Sequence, residues 1–300
     1  MSVGPLVLLS ALAALALAYA ARWWTIERRR SVAAGASPRP SLGDWLTGSA
    51  ANFFDTLGIG SFATTTAIFK LRGRVADEDI PGTLNAGHAL PTVAQALIFI
   101  AVVTVDFVTL ASMIAAAVAG AWIGVGVVTR LPRRAIQIGM GVALLAAAAL
   151  FLATNLEWLP GGGDAQGLQG ATLAFAVAAS FVLGALMMLG IGLYAPCLIL
   201  VSLLGMSPLA AFPIMMGACA FLMPVGGGAF VRAGRYDLRA ALGLALGGIP
   251  GVLIAAFVVK SLPVIWLRWL VLVVVLIAAA QMLMSARRSR AGAASDSSAE

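Results

Sequence analysis

The stretch that decides the fold reads Asn52-Phe53-Phe54-Asp55-Thr56-Leu57-Gly58-Ile59-Gly60-Ser61-Phe62-Ala63-Thr64-Thr65-Thr66. It lies inside an apolar segment, residues 44–70, which its two glycines interrupt. The same Leu-Gly-Ile-Gly order recurs at 189–192, inside a second apolar segment, residues 170–205. Two apolar segments that glycine breaks predict irregular backbone at membrane depth. Such backbone is tolerated only where protein or a water-filled cavity surrounds it.

The composition places the rest of the chain in a membrane. Its 300 residues are 61% hydrophobic and only 10% charged, against about 45–50% and about 25% in soluble globular proteins. At about 20 apolar residues per helix, we predict an all-α polytopic membrane protein whose main partner is the lipid bilayer. The two cysteines lie in apolar stretches, so they predict no disulfide framework. We expect no cofactor and no metal.

The positive charge reports orientation rather than nucleic-acid binding. The chain carries 19 Lys and Arg against 12 Asp and Glu, a net charge of +7. Its cations form short clusters between apolar runs, as in cytoplasmic loops. The clustered cations are Arg22, Arg28–Arg30, Arg39, Lys70, Arg72, Arg74, Arg130, Arg133, Arg134, Arg232, Arg235, Arg239, Arg287, Arg288 and Arg290. We therefore expect no nucleic-acid partner and predict that these loops face the cytoplasm.

The N-terminal apolar run, residues 6–21, could be a signal peptide or a retained helix. Ala18-Tyr19-Ala20 resembles a cleavage site. However, positive charge follows the run instead of preceding it, which favours a retained helix with its N-terminus outside and the C-terminus of the chain inside.

The predicted organisation has five parts. They are an N-terminal transmembrane helix and cytoplasmic linker (1–43, helix 5–24), transmembrane repeat 1 (44–155), an extracytoplasmic loop (156–169), transmembrane repeat 2 (170–286) and a disordered cytoplasmic tail (287–300). Beyond the two broken segments, unbroken helices are predicted near 81–105, 107–129, 134–155, 208–230, 238–260 and 262–285.

The two halves look duplicated. One constant offset aligns Asp106 with Asp237, Gly120 with Gly251, and Leu131-Pro132 with Leu262-Pro263. Because the arginine clusters put equivalent loops on opposite sides, the halves predict two inverted-topology repeats, the architecture of many secondary transporters. Each repeat begins with a broken or re-entrant helical hairpin, and one extra N-terminal helix precedes both.

The polar residues near the breaks are the candidate binding site. A helix that starts near Ser61 would aim its N-terminal amides at a small oxyanion, and Thr64 and Thr65 would add hydroxyl donors. Pro196 suits the first turn of a second such helix. The predicted substrate-binding residues are Asn52, Asp55, Gly58, Gly60, Ser61, Thr64, Thr65, Asn85, His88, Gly190, Gly192, Tyr194, Pro196 and Cys197.

Structural alternatives stay open for most of these residues. The glycines could serve only close helix packing, the threonines could bond to carbonyls of the preceding turn, and Cys197 could be a small core residue. Asp55 and His88 are the proton-coupling candidates, because ionisable residues inside a membrane commonly act in transport. Asp55 could instead cap backbone amides, and His88 could link two helices.

Three functions follow from these patterns. The first is a secondary transporter that exports a small anion by alternating access at the two broken helices. The second is an intramembrane serine hydrolase with Ser61 as nucleophile and His88 as base. The third is a membrane assembly protein that transports nothing. A homo-oligomer is an open alternative for the assembly state.

The motifs resemble those of the sulfite exporter TauE/SafE family of bacterial permeases. The resemblance rests on Asn52-Phe53-Phe54-Asp55 before the first glycine pair and on Gly190-Ile191-Gly192 before Pro196, and it extends loosely over 44–285. It implies a multi-pass transporter in the bacterial inner membrane that moves sulfite, sulfonates or related sulfur-containing anions. The chain departs from the family at Ser61-Phe62, where a richer glycine run and a proline are usual, and in its leading helix.

Overall fold

The computed structural model describes residues 3–34, 39–158, 163–258, 272–273, 276, 279–280 and 282–287. The regular secondary structure in this part of the chain is helical. The helices are α1 Val3–Ala34, α2 Leu42–Thr56, α3 Ser61–Arg72, α4 Ile80–Gly87, α5 Ala89–Val102, α6 Phe107–Val128, α7 Arg133–Asn155, α8 Gly170–Met187, α9 Tyr194–Leu203, α10 Pro208–Ala233 and α11 Leu238–Val258. A 3-10 turn, Asp77–Asp79, leads into α4. No strand is found among these residues.

Seven helical runs in this described part are long and apolar enough to cross a membrane. Six of them are α1, α6, α7, α8, α10 and α11. The seventh is the run from Asp77 to Val102, which contains α4 and α5. By contrast, α3 has 12 residues and α9 has 10, fewer than the roughly 20 that a crossing needs. The short helices are therefore the second arms of the two broken segments.

Most predicted helix boundaries agree with the structure to within a few residues, with two exceptions. The helix predicted as unbroken near 81–105 is divided at His88 into α4 and α5. The first helix was predicted to end at residue 24, but α1 continues to Ala34, so much of the predicted linker is helical. The charged residues that suggested a linker are good helix formers and do not stop a helix. The predicted helix 262–285 falls largely outside the described residues, as do Leu262-Pro263 and nearly all of the tail 287–300.

The first broken segment starts and ends at the same end of the helix bundle. Arg74, just after α3, donates from Nε to Asp44 Oδ1 (3.0 Å) and from a terminal nitrogen to Asp44 Oδ2 (2.8 Å). Asp44 lies in the first turn of α2, where it also forms a capping box with Ser41. The hydrogen bonds to Asp44 raise the pKa of Arg74 above its ordinary value. We call this end of the bundle the cationic face, because Lys70, Arg133 and Arg235 also lie in its loops and helix ends.

The second broken segment closes at the opposite end. The loop before α8 pairs with the turn after α9 through three backbone hydrogen bonds. They join Gly163 N to Met206 O (3.1 Å), Ala165 N to Gly205 O (3.3 Å) and Ser207 N to Ala165 O (2.9 Å). The start of α6 joins them, since Asp106 N donates to Gln166 O at 2.8 Å. The two hairpins therefore open toward opposite faces of the bundle.

Two helix pairs hold the halves together, α2 with α11 and α6 with α8. In each pair glycine permits contact between backbones. A Cβ atom on Gly251 would overlap the carbonyl oxygen of Ser49 in α2, and one on Gly120 would overlap the carbonyl oxygen of Phe181 in α8. Such close approach favours helix association in a bilayer, where burial of apolar surface drives little. Gly120 and Gly251 are also partners in the predicted repeat.

Asp106 and Asp237 cap the helices that carry these glycines. Asp106 Oδ2 accepts from Thr109 N at 2.8 Å, and Asp237 Oδ1 accepts from Ala240 N at 2.8 Å. Each bond satisfies one of the N–H groups that a helix start leaves free.

Candidate functional site

The first break requires glycine. α2 ends at Thr56 and α3 begins at Ser61, so the chain leaves the helix for only a few residues. Gly58 and Gly60 have φ of +85° and +89°, conformations that L-residues rarely adopt. The N-terminal amides of α3, starting at Ser61, therefore lie within the buried part of the protein.

The second break has the same design. α8 ends at Met187 and α9 begins at Tyr194, and Gly190 has φ of +95°. Pro196 lies in the first turn of α9, where its missing N–H removes no helical hydrogen bond. Gly192 does not have positive φ, so its backbone conformation does not require glycine.

The two breaks meet in the core. A Cβ atom on Gly60 would lie 3.8 Å from the Cβ of Tyr194, and one on Gly192 would lie 3.7 Å from the Cβ of Phe62. A cavity of about 50 Å³ lies between them, walled by both breaks and by α7. Pro196 also lines it. The structure thus brings together two segments that are far apart in sequence and leaves a small space between the two helix starts.

His88 joins the two arms of the first broken segment. It is fully buried, in the short break between α4 and α5. Its Nδ1 lies 3.0 and 3.2 Å from the two amide atoms of Asn52, on α2, and its Nε2 lies 3.0 Å from Thr65 Oγ1, on α3. Pro91 contributes to the break, because it has no N–H to bond one turn back.

This arrangement does not support the serine-hydrolase hypothesis. Both ring nitrogens of His88 have hydrogen-bond partners, and neither partner is Ser61. A nucleophile and its base must lie within hydrogen-bond reach. The Ser61 side chain instead faces Asp55.

Gln95 links the second break to the first. The Tyr194 hydroxyl donates to Gln95 Oε1 at 2.7 Å, and Gln95 Nε2 donates to Thr56 Oγ1 at 3.0 Å. All three side chains are buried. Gln95 and Thr56 were absent from the predicted site. The sequence did contain a signal for Gln95. It follows His88 by seven residues, which is two helical turns, so the two side chains are expected on the same helix face.

Asp55 is the buried carboxyl group of the site, with 1% of its surface exposed. Neither carboxyl oxygen makes a hydrogen bond within the usual distance and angle limits. Three groups nonetheless face it at longer range: Gln95, Ser61 through both its hydroxyl and its backbone N–H, and Tyr194. No Lys or Arg among the described residues forms an ion pair with it. The carboxyl group thus lies at the start of α3, the position in which a helix favours negative charge.

The other predicted residues have more local roles. Thr64 Oγ1 donates to Ser61 O at 2.9 Å, the backbone bond that was its structural alternative. Asn85 is buried and donates to Pro81 O (2.9 Å) and, at the end of α8, to Met187 O (3.4 Å), not to His88. Cys197 is a buried free thiol in α9.

Comparison with known proteins adds one match. Residues 172–299 match the family model described as "Sulfite exporter TauE/SafE", while no curated protein and no solved structure matches the chain. The matched region contains the second break and α9, α10 and α11 in full, and it confirms the family resemblance over this part of the chain. Together with its apolar helices, the match makes the chain a multi-pass membrane protein. Over residues 172–299, the chain is a match to the sulfite exporter TauE/SafE family of membrane transporters.

Proposed function

We propose that the protein is a secondary transporter that exports a small anion, with sulfite, sulfonates and related sulfur-containing anions as its substrates. The observation that carries this proposal is the meeting of the two glycine breaks around one small cavity. Paired breaks of this kind, in corresponding positions of two halves, commonly mark the binding site of a transporter. The family match over residues 172–299 supports the substrate class.

The proposal includes an inverted-topology repeat. Three observations support it: the hairpins close at opposite ends of the bundle, the pair α2–α11 repeats as α8–α6, and the aligned glycines Gly120 and Gly251 contact the two first arms. Rocking of one half against the other would then open the cavity to each side in turn.

Neutral donors would hold the anion. The starts of α3 and α9 both border the cavity, and a helix start supplies free N–H groups and the positive end of its dipole. None of the residues that line this cavity is Lys or Arg. Binding without a fixed cation is weak enough to allow release, which an exporter requires.

Asp55 would couple anion movement to protons. Its carboxyl group faces the same α3 amide that an anion would use, so an ionised Asp55 and a bound anion would repel each other. Protonation of Asp55 would therefore strengthen anion binding. The test compares sulfonate binding at a higher and a lower pH, because the charge of a sulfonate itself does not change between them. The protein should bind the sulfonate more tightly at the lower pH. Asp55→Asn should bind it equally well at both pH values. Unchanged pH dependence in Asp55→Asn would refute this role.

Transport by purified protein in liposomes tests the function. Sulfite, thiosulfate, sulfate and a sulfonate would each be loaded inside the liposomes and their efflux followed at two pH values. We expect saturable efflux of at least one sulfur-containing anion, absent from protein-free liposomes. Failure to move or bind any of them would favour the assembly-protein alternative.

The cationic face would be cytoplasmic in the bacterial inner membrane, with the N-terminus outside and the C-terminus inside. Labelling of single cysteines in intact cells, introduced at Arg130 on the cationic face and at Gln166 on the other, tests this orientation. Only the cysteine at position 166 should react with a membrane-impermeant reagent, and the reverse pattern would contradict the assignment.

A further inference from the structure

A groove runs along the outside of the bundle between α1, α6 and α10, away from the central cavity. It consists of two adjoining spaces of about 480 and 620 Å³ that share Trp122 and Val225 as walls. The groove exists because α1 packs along α10 and α5 but makes little contact with α6.

The end of the groove nearest the cationic face carries two arginines. Arg22 of α1 and Arg232 of α10 both line it. Within the described residues, neither guanidinium group has a hydrogen bond or an ion pair, although Arg232 does accept a bond from Arg30 through its backbone oxygen. Trp122, which is 71% exposed, stands at the edge. Tryptophan and arginine at this depth are typical of the lipid headgroup region.

The polar groups of the wall are already satisfied by the protein. The Tyr19 hydroxyl donates to Ala86 O at 3.0 Å, and Trp23 Nε1 donates to the Tyr236 hydroxyl at 3.0 Å. These bonds fix α1 against the bundle and keep the groove open. The two guanidinium groups are therefore the free polar groups for a ligand in this part of the groove.

Two glycines keep the groove deep. A Cβ atom on Gly126 or Gly228 would meet no atom within 4 Å, and neither has positive φ. Glycine inside a helix is less favourable than alanine, and at these two positions neither packing nor backbone conformation requires it. Both residues line the groove, so their effect is to leave space for something outside the chain.

The other end of the groove is apolar. Its walls are Leu8 of α1, Ile114 and Val118 of α6, and Phe221 of α10, and the space contains no charged residue. Free cations at the membrane surface and a long apolar channel below them match a molecule with an anionic head and a hydrocarbon tail.

We propose that this groove binds an anionic phospholipid. Its phosphate lies between Arg22 and Arg232, and one acyl chain follows the groove past Trp122 toward Leu8. The lipid would fasten the extra helix α1 to the transport bundle.

Native mass spectrometry of the purified protein tests the site. The protein would be titrated with phosphatidylglycerol or with phosphatidylcholine of the same acyl chains. We expect phosphatidylglycerol to bind at one saturable site. Arg22→Gln and Arg232→Gln should each weaken it about fivefold, because one arginine at a membrane surface contributes about 1 kcal/mol. Arg130→Gln, an exposed charge on the same face, is the matched control and should change nothing.

Filling the groove gives an independent test. Gly228→Leu should abolish the saturable binding, whereas Gly228→Ala, which leaves most of the space, should retain it; both variants should fold, because the position faces open space. The proposal is wrong if the two lipids bind equally, if Arg130→Gln loses as much binding as Arg22→Gln, or if Gly228→Leu binds normally. Displacement of the lipid by millimolar inorganic phosphate would instead assign the arginines to a small soluble anion.

Discussion

Replacement of Gly60 by alanine should destabilise the protein, whereas the same replacement at Gly192 should not. The two positions occupy equivalent places in the two breaks, and each has room for a methyl group: the nearest atom to a new Cβ would be 3.8 Å away at Gly60 and 3.7 Å away at Gly192. Steric overlap is therefore not the difference between them.

The difference is the backbone. Gly60 has φ of +89° and ψ of 135°, a region that side chains with a Cβ atom rarely enter, and holding a residue there costs of order 1–3 kcal/mol. Gly192 is not in that region. Alanine at 192 should therefore be neutral or stabilise by about 0.4–1 kcal/mol, because it restricts the unfolded chain.

Reversible unfolding of the two variants in mixed detergent micelles, followed by circular dichroism, measures this difference. We expect the free energies of unfolding to differ by about 2 kcal/mol, or about thirtyfold in the ratio of folded to unfolded protein. Equal stability of Gly60→Ala and Gly192→Ala would refute the claim that the first break depends on a glycine-only conformation.

Three further predictions concern helix packing, the link between the breaks and a helix cap, each measured as the free energy of unfolding. Gly120→Ala should cost more than about 2 kcal/mol, because its methyl group would overlap the α8 backbone, while Gly126→Ala should be tolerated; similar losses would contradict the packing. Tyr194→Phe should cost about 1–3 kcal/mol because it leaves Gln95 Oε1 buried without its donor, and adding Gln95→Leu should restore part of that loss. Asp106→Ala should cost about 1 kcal/mol through loss of the α6 cap, and an unchanged free energy would show that the cap contributes nothing.

The two glycine breaks were predictable because their causes are local. Positive φ at Gly58 and Gly60 needs glycine, and Pro196 suits the first turn of a helix, where its missing N–H removes no hydrogen bond. The caps at Asp106 and Asp237 follow from the same local chemistry. Each of these features can be read from a few neighbouring residues.

The contacts between helices were not predictable, because they depend on pairing between distant segments. Tyr194 and Gln95 are 99 residues apart. A tyrosine hydroxyl can both donate and accept a hydrogen bond, so its chemistry does not specify which buried polar group it will meet. The break at His88 was missed because the surrounding run is apolar on both sides. Pro91 was the available signal. Small residues show that helices can approach closely, but not which helices do so, which is why the pairing of α2 with α11 required the structure.

Sulfite efflux from proteoliposomes that contain the Gly192→Leu variant tests whether the substrate passes between the two breaks. A Cβ atom at position 192 would lie only 3.7 Å from the Cβ of Phe62. The longer side chain of leucine would therefore fill the space in which the two breaks meet. Gly192→Ala serves as the matched variant that leaves most of that space free. We expect Gly192→Leu to fold, with its circular dichroism spectrum unchanged, but to export sulfite at least tenfold more slowly than Gly192→Ala. Equal efflux by the two variants would contradict a pathway through the meeting point of the two breaks.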